Sequence, residues 1–552
     1  MRYRSSAFRI VVWRFALLSL LVSASCLRPA FAQAPAPNPP QTVHGWLVHW
    51  PDPAYLDRVL AAAPRYGVNH LELSHDIIMQ IDEATENAER GRLIESVAKR
   101  AKAQGIKTFV WAHEINTRDK NAPLDPESPA GKAFWEGRRE AYRRTLAACP
   151  SVEGVVLMFG SSPLEVWDRP STPGQGDGWQ RRTPAERIRF ITDLVGGVVR
   201  EEAKKALFVR DFNHGPAQLA SILEALKNDR RITIISKAEP QDFQPFYPHS
   251  FTLGAYGATP QIVEIDLCGE YWGQSVIPIS LAEYLPFRLK YDQGKGTVGA
   301  VGRVDCYSNS ALGTPAELNL HAFRRALTDR DITADRIHAE WIENRYRLKP
   351  GSAGAAKLTG IYTRSWTMAK KMYYTLGFWT WKSQSSIPEN SRSIDGGIAG
   401  KSSALWDPAQ KATEQRLIRP DGATFREIAA EKAEAVALAR ENLAALPSLK
   451  QDLSAADYAE WERYLALTVD LARTYEAFNL AYWRLKLAEH APADPDAARS
   501  RVREAIDSLT PLSDHLSLRW ADLRAVVRQV PRLKAFQADL RARFERLPSA
   551  TP

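Results

Sequence analysis

The sequence predicts an α/β fold, a (β/α)8 TIM barrel followed by a C-terminal all-α region, on three observations. Eight short apolar runs lie between residues 43 and 310, and amphipathic helical stretches separate them. Polar and charged residues gather just after nearly every run, the end at which such barrels carry their chemistry. From Thr424 to Leu547 the chain is rich in Ala, Leu, Arg and Glu with helical periodicity and little Gly, and prolines at 447, 492 and 511 punctuate it into several helices.

The predicted order starts with an export signal over residues 1–32. Arg2, Arg4, Arg9 and Arg14 precede the apolar run Phe15 to Val22, and Ala30-Phe31-Ala32 fits a small-x-small cleavage site. The apolar run is too short for a membrane span, and Ser23 before Cys26 makes a poor lipobox. A Pro-rich linker covers 33–42, the barrel domain 43–410 and the helical domain 411–552. The implied location is periplasmic or extracellular. Without residues 1–32 the basic residues fall from 73 to 68 against 64 acids, so the high pI belongs mostly to the leader. No Lys/Arg run points to nucleic acid.

The candidate strands are Val43–Trp50, His70–Ser74, Thr108–Ala112, Gly154–Phe159, Leu207–Phe212, Ile232–Lys237, Ile262–Leu267 and Thr297–Val304. Gly67 and Gly105 stand where a glycine ends a helix before a strand begins. The strand ends deliver His75-Asp76, His113-Glu114, Gly160-Ser161-Ser162 with Glu165 and Asp168 beyond, and Arg210-Asp211 with Asn213-His214. They continue with Lys237 and Asp242, then Glu270, then Arg303, Asp305 and Asn309. No Gly-rich phosphate loop follows the first strand, which excludes the usual dinucleotide fingerprint. Period two places Glu264, Asp266, Cys268 and Glu270 on one strand face. If it points inward, these acids need Arg210, Arg303 or Lys237 as partners. A Ser/Gly-rich segment from Ser383 to Ser403 reads as a loop near the pocket.

Cys149, Cys268 and Cys306 have no CxxC or Cys/His spacing, so neither a zinc site nor a disulfide framework is implied. Buried free thiols are the first reading, and a Cys268–Cys306 bridge is the alternative if their strands are adjacent. No metal and no cofactor is implied. The 16 tryptophans include Trp46, Trp111 and Trp272, which could wall a sugar site or simply pack.

Asp242 and Glu270 each close a buried strand 28 residues apart. The spacing Lys237-x4-Asp242-Phe243-Gln244 followed by Gly269-Glu270-Tyr271-x-Gly273-Gln274 resembles the α-glucuronidases of glycoside hydrolase family 67. Val209-Arg210-Asp211-Phe212, Ala322-Phe323, Asp331-Ile332-Thr333 and Glu340-Trp341-Ile342 resemble further parts of that family, patchily over residues 140–350. The resemblance implies that Asp242 and Glu270 form the base side of an inverting glycosidase, and that Arg210 and Lys237 hold a uronate carboxylate. It implies a glycan partner carrying acidic sugars. Glu114, Trp272 and Asn309, at the ends of strands three, seven and eight, complete the candidate substrate-binding set. The sequence departs from the family at strand four, where Ser162 and Met158 stand for the expected catalytic Glu and substrate-binding Lys, and no N-terminal β-domain precedes the first strand. A serine hydroxyl cannot serve as the general acid. Glu165 is the candidate for that role, with Asp168, Glu114 and Asp76 as others. Hydrolysis of a different glycan, or uronate binding without cleavage, remains open. The C-terminal helices either brace the barrel or form a homodimer.

Overall fold

The computed structural model describes residues 42–114, 122–159, 164–167, 177–212, 215–379, 385–400, 403–490 and 495–547. The chain divides into two compact units, Met1–Asn38 and Pro39–Pro552. The export signal and nearly all of the linker lie outside the described residues, as do Ser162, Asp168, Asn213, His214 and the side chain of Glu165.

All eight expected strands form, in sequence order, one closed parallel barrel. They are β1 (Val43–Val48), β2 (His70–Leu73), β3 (Lys107–His113), β4 (Gly154–Met158), β5 (Ala206–Arg210), β6 (Thr233–Lys237), β7 (Gln261–Asp266) and β8 (Gly299–Arg303). Closure pairs β1 with β8, Gly45 opposite Val301 and Leu47 opposite Arg303. Gly67 and Gly105 have φ of 68° and 76°, the left-handed turn expected at those positions.

Alternation sorts the apolar side chains into two cores. Leu47, Phe109, Trp111, Val156, Met158, Phe208, Phe212, Ile235, Ile262 and Val301 fill the barrel. The alternate residues, such as Trp46, Val48, Val155, Val209 and Val263, meet the surrounding helices. Trp46 lies against Tyr66 at 5.5 Å in that outer layer, so of its two open readings it is the packing one that the structure shows. Register decides this: Leu47 points inward, so its neighbour cannot.

Strand–helix alternation breaks once. Residues 238–260 contain no helix. Pro240, Pro245, Pro248 and Pro260 remove backbone donors there, and Gly254 and Gly257 turn the chain with positive φ. The resulting loop carries Asp242. Beyond β8, the short hairpin β9 (Asp305–Cys306) and β10 (Asn309–Ser310) caps the strand end.

Helices follow at Leu318–Thr328, Ala334–Tyr346 and Ala353–Tyr373, then at Gly422–Ala445, Ala455–His490, Pro495–Asp507, Leu509–Arg519 and Gln529–Glu545. The segment expected to be a loop from Ser383 to Ser403 contains a helix, Ser391–Gly400. Backbone donors at Ile387 and Ser391 bond to Gln529 and Asp539 of the last helix, at 2.8 and 2.7 Å. These contacts explain why a Ser- and Gly-rich stretch is helical against its propensity. Among the described residues, no helix is long and apolar enough to cross a membrane.

Candidate active site

Three cation–carboxylate pairs occupy the C-terminal end of the barrel. Arg210, the last residue of β5, reaches across β6 to Glu264 of β7, with Nη2 2.9 Å from Oε1 and Nε also donating. Lys237, the last residue of β6, places Nζ 2.6 Å from Asp242 Oδ1. Arg303, the last residue of β8, donates to Glu270 Oε2. All six side chains are nearly inaccessible. Desolvated charges require such pairing, because a carboxylate alone in this setting would cost several kcal/mol.

Aromatic rings and loop contacts fix the pairs. Lys237 Nζ sits 4.0 Å from the Phe212 ring centre and 3.9 Å from that of Phe243. Tyr271 donates its hydroxyl to Asp242 Oδ2 at 2.6 Å, so the residue after Glu270 secures the other acid. Asp266 accepts from the backbone N–H of Cys268, Gly269 and Glu270 at 3.0, 3.0 and 2.5 Å, which folds the turn that presents Glu270. Gln274 and Ser275 follow with φ of 52° and 55°, strained for side-chain-bearing residues and typical of loops held for function.

The C-terminal helices reach this loop. The backbone N–H of Ser385 donates to Glu270 O at 2.9 Å, and its hydroxyl accepts from Gly273 N at 3.0 Å. Tyr475, on helix Ala455–His490, donates its hydroxyl to Ser385 O. The helical region thus braces the turn that carries Glu270.

Burial pushes the Glu270 carboxyl above the ordinary range; Arg303 opposes the shift, and the Asp242 charge adds to it. Burial likewise lowers Lys237, against the pull of Asp242. Were Glu270 the base, it would work ionised, so kcat/KM would rise with pH through a limb above about 4.3, the ordinary Glu value. A pH profile checks this, and the limb should vanish in Glu270→Gln. The stability linkage has the opposite sense: it is full below the ordinary Glu range and is lost as pH climbs through the raised value.

Asp305 gives a second titration. It accepts from His49 N at 2.8 Å and Trp50 N at 3.2 Å, and burial pushes it up to about 7. Its contribution is present below the ordinary Asp range and is lost as pH rises through about 7. The melting temperature of Asp305→Asn, relative to wild type, should therefore be more favourable at pH 8 than at pH 5. Parallel melts at the two pH values check it.

Asp242, Glu270, Arg210 and Lys237 therefore come together, as their placement at strand ends predicts. Three other candidates sit differently. Glu114 turns to helix Pro129–Ala148, where its carboxylate takes Arg138 Nη2 at 2.8 Å and Tyr142 Oη at 2.7 Å. This binds it to the barrel's outer layer and corrects its reading as a substrate or acid group. Trp272 is buried edge-on against Trp366 at 5.6 Å and Tyr284 at 5.8 Å, a packing role in place of the expected sugar wall. Asn309, on β10, is half-buried and donates to Gln274 Oε1 at 3.3 Å, beside the Glu270 loop. Trp111 is inside the barrel, with its indole N–H on Glu72 at 2.7 Å and Arg210 over its ring. Asp76 is exposed. Cys268, Cys306 and Cys149 are all buried free thiols, the first of the two readings offered for them.

The sequence reading named Arg303 only as a possible partner for the buried acids, and gave Tyr271 and Ser385 no role. The parity of β8, with Val301 inside, places Arg303 inside too. Ser385 has no comparable signal, since it lies 115 residues from Glu270.

No family model matches the chain, and no curated protein matches it. Solved structures do. The GH115 4-O-methyl-α-glucuronidase BtGH115A, with specificity for decorated arabinogalactans, shares 12% identity at a TM-score of 0.50 over 93% of this chain and 63% of its own. The likeness is one of fold. The present chain spans less than two thirds of that enzyme's length. CpGH84B and CpGH84D align at 10% identity over 90% of this chain and 77% and 75% of theirs, with TM-scores of 0.44 and 0.43.

Proposed function

We propose that this protein is an exported glycoside hydrolase that acts on a glycan carrying uronic acid, by inversion, in the manner of the family 67 α-glucuronidases. The observation that carries the reading is the gathering of Asp242 and Glu270 at one barrel mouth, each beside its own buried cation. Two carboxylates from adjacent strand ends can polarise one water, and the raised Glu270 is suited to take its proton. Lys237 and Arg303 supply positive charge for an anionic sugar. Arg210 is the less available cation, because Glu264 holds its fork. Glu165 is the candidate proton donor carried over from the sequence.

The second reading is a barrel that binds uronates without cleaving them. Its specific support is Glu114, a candidate acid that is committed to Arg138 and Tyr142. Incubation with aldouronic oligosaccharides and other uronate-bearing glycans separates the two. Release of a sugar by wild type and none by Glu270→Gln upholds the hydrolase. Uronate binding by both with no release upholds the binder.

A further inference from the structure

The barrel mouth has two unlike halves. The β5–β8 half carries the ion pairs. The β1–β3 half carries imidazoles: His49 just beyond β1, His75 just beyond β2, and His113 at the end of β3. The His49 and His75 ring centres are 4.1 Å apart, and those of His75 and His113 are 6.2 Å apart. Trp111 supports the row, 5.3 Å from His75 and 5.8 Å from His113. All three rings sense Arg210, and His49 and His75 also sense Arg303 and Lys237, so the row faces the ionic half.

Three features bear on what the row can bind. First, His75 has φ of 49°, a conformation that a β-carbon disfavours and that surrounding structure must enforce. Its ring lies tilted by 44° against that of His49 in that strained state. Second, His49 Nδ1 accepts from Arg303 at 3.1 Å, which leaves the proton on Nε2, and that atom has no protein partner among the described residues. Both ring nitrogens of His113 are likewise unpartnered, and both residues are 2% exposed. Buried polar atoms usually find partners, and these orphans stand at the barrel mouth opposite the ion pairs, where a ligand's hydroxyls can supply them. Third, burial first and the facing cations second hold all three rings below the ordinary histidine range, with His113 lowered to about 3. A neutral imidazole offers one donor and one acceptor, the same pair of roles that a sugar hydroxyl plays.

We infer that His49, His75 and His113 form a hydroxyl-binding wall that takes the neutral ring hydroxyls of a sugar whose reacting end faces Asp242 and Glu270. The inference rests on the glycan reading above and assigns recognition of the uncharged part of the sugar to residues outside the ion pairs.

The test is calorimetry on the full chain with D-glucuronate, D-galacturonate, D-xylose and D-glucose, comparing wild type with His49→Ala, His113→Ala and His113→Gln. Thermal melts monitor folding, and His113→Gln keeps a donor and an acceptor should the alanine variant unfold. Each alanine variant should bind its best sugar about tenfold more weakly, the effect of one lost hydrogen bond in a buried site. His113→Gln should recover part of the loss. A deoxy analogue lacking the hydroxyl read by His113 should bind wild type about tenfold more weakly and lose nothing further in His113→Ala. Uronate binding that the histidine variants leave unchanged overturns the wall and spares the uronate reading. Binding of neutral sugars alone, weakened by the variants, upholds the wall and overturns the uronate reading. No binding of any sugar by wild type overturns both.

Discussion

Glu270→Gln should lower kcat by roughly 10²- to 10⁴-fold, the range expected when a positioned general base is removed. The effect should fall on kcat with little change in KM, because the proton transfer belongs to the transition state. The fold should survive. Glutamine keeps an acceptor oxygen for Arg303, Arg303 retains its contact with His49 Nδ1, and the turn is held by Asp266 and by Ser385 through the backbone of residue 270. A steady-state comparison on any glycan that wild type cleaves, paired with thermal melts, checks both halves. Undiminished turnover would remove Glu270 from the chemistry.

Arg210→Met should destabilise the protein by about 3–5 kcal/mol, since it strands the buried Glu264 carboxylate without its principal partner. Arg210→Met with Glu264→Leu should recover most of that loss, because an apolar pair of similar volume suits the surroundings of Met158, Phe212 and Trp111. Denaturant unfolding of the two variants measures this. The prediction also separates the two roles open to Arg210. A purely substrate-binding arginine would leave stability nearly unchanged and would show no rescue by the second substitution.

Much of the architecture was legible because barrel strands announce themselves twice, by an apolar run and by a polar group at its end. Lys237-Ala238 into Asp242, and Asp266 into Glu270, show both signals, and both acids stand at the mouth. Parity and distant packing decide the aromatic readings that the sequence left open. Trp46 follows from Leu47 being inside, and Trp272 faces helix Ala353–Tyr373, which lies far along the chain. Arg210, Arg303 and Lys237 were legible as partners for the buried acids, but which cation meets which acid was not. Arg210 bonds to Glu264 past the intervening strand β6, a contact between strands that do not themselves pair. The same holds for the brace from Tyr475 through Ser385 to Glu270, which joins three distant segments. The four prolines of residues 238–260 were visible, yet regular alternation hid what they do, which is to replace a helix by the loop that carries Asp242.

The central claim is that Asp242 and Glu270 direct a water onto a uronic-acid glycoside. Proton NMR of the reaction with an α-linked aldouronic oligosaccharide, recorded as product first appears, tests it most directly. The β-anomer of the free uronic acid should form first and then mutarotate, with its appearance slowed at least about 10²-fold in Glu270→Gln. Initial appearance of the α-anomer, or uronate binding without any release, would contradict it.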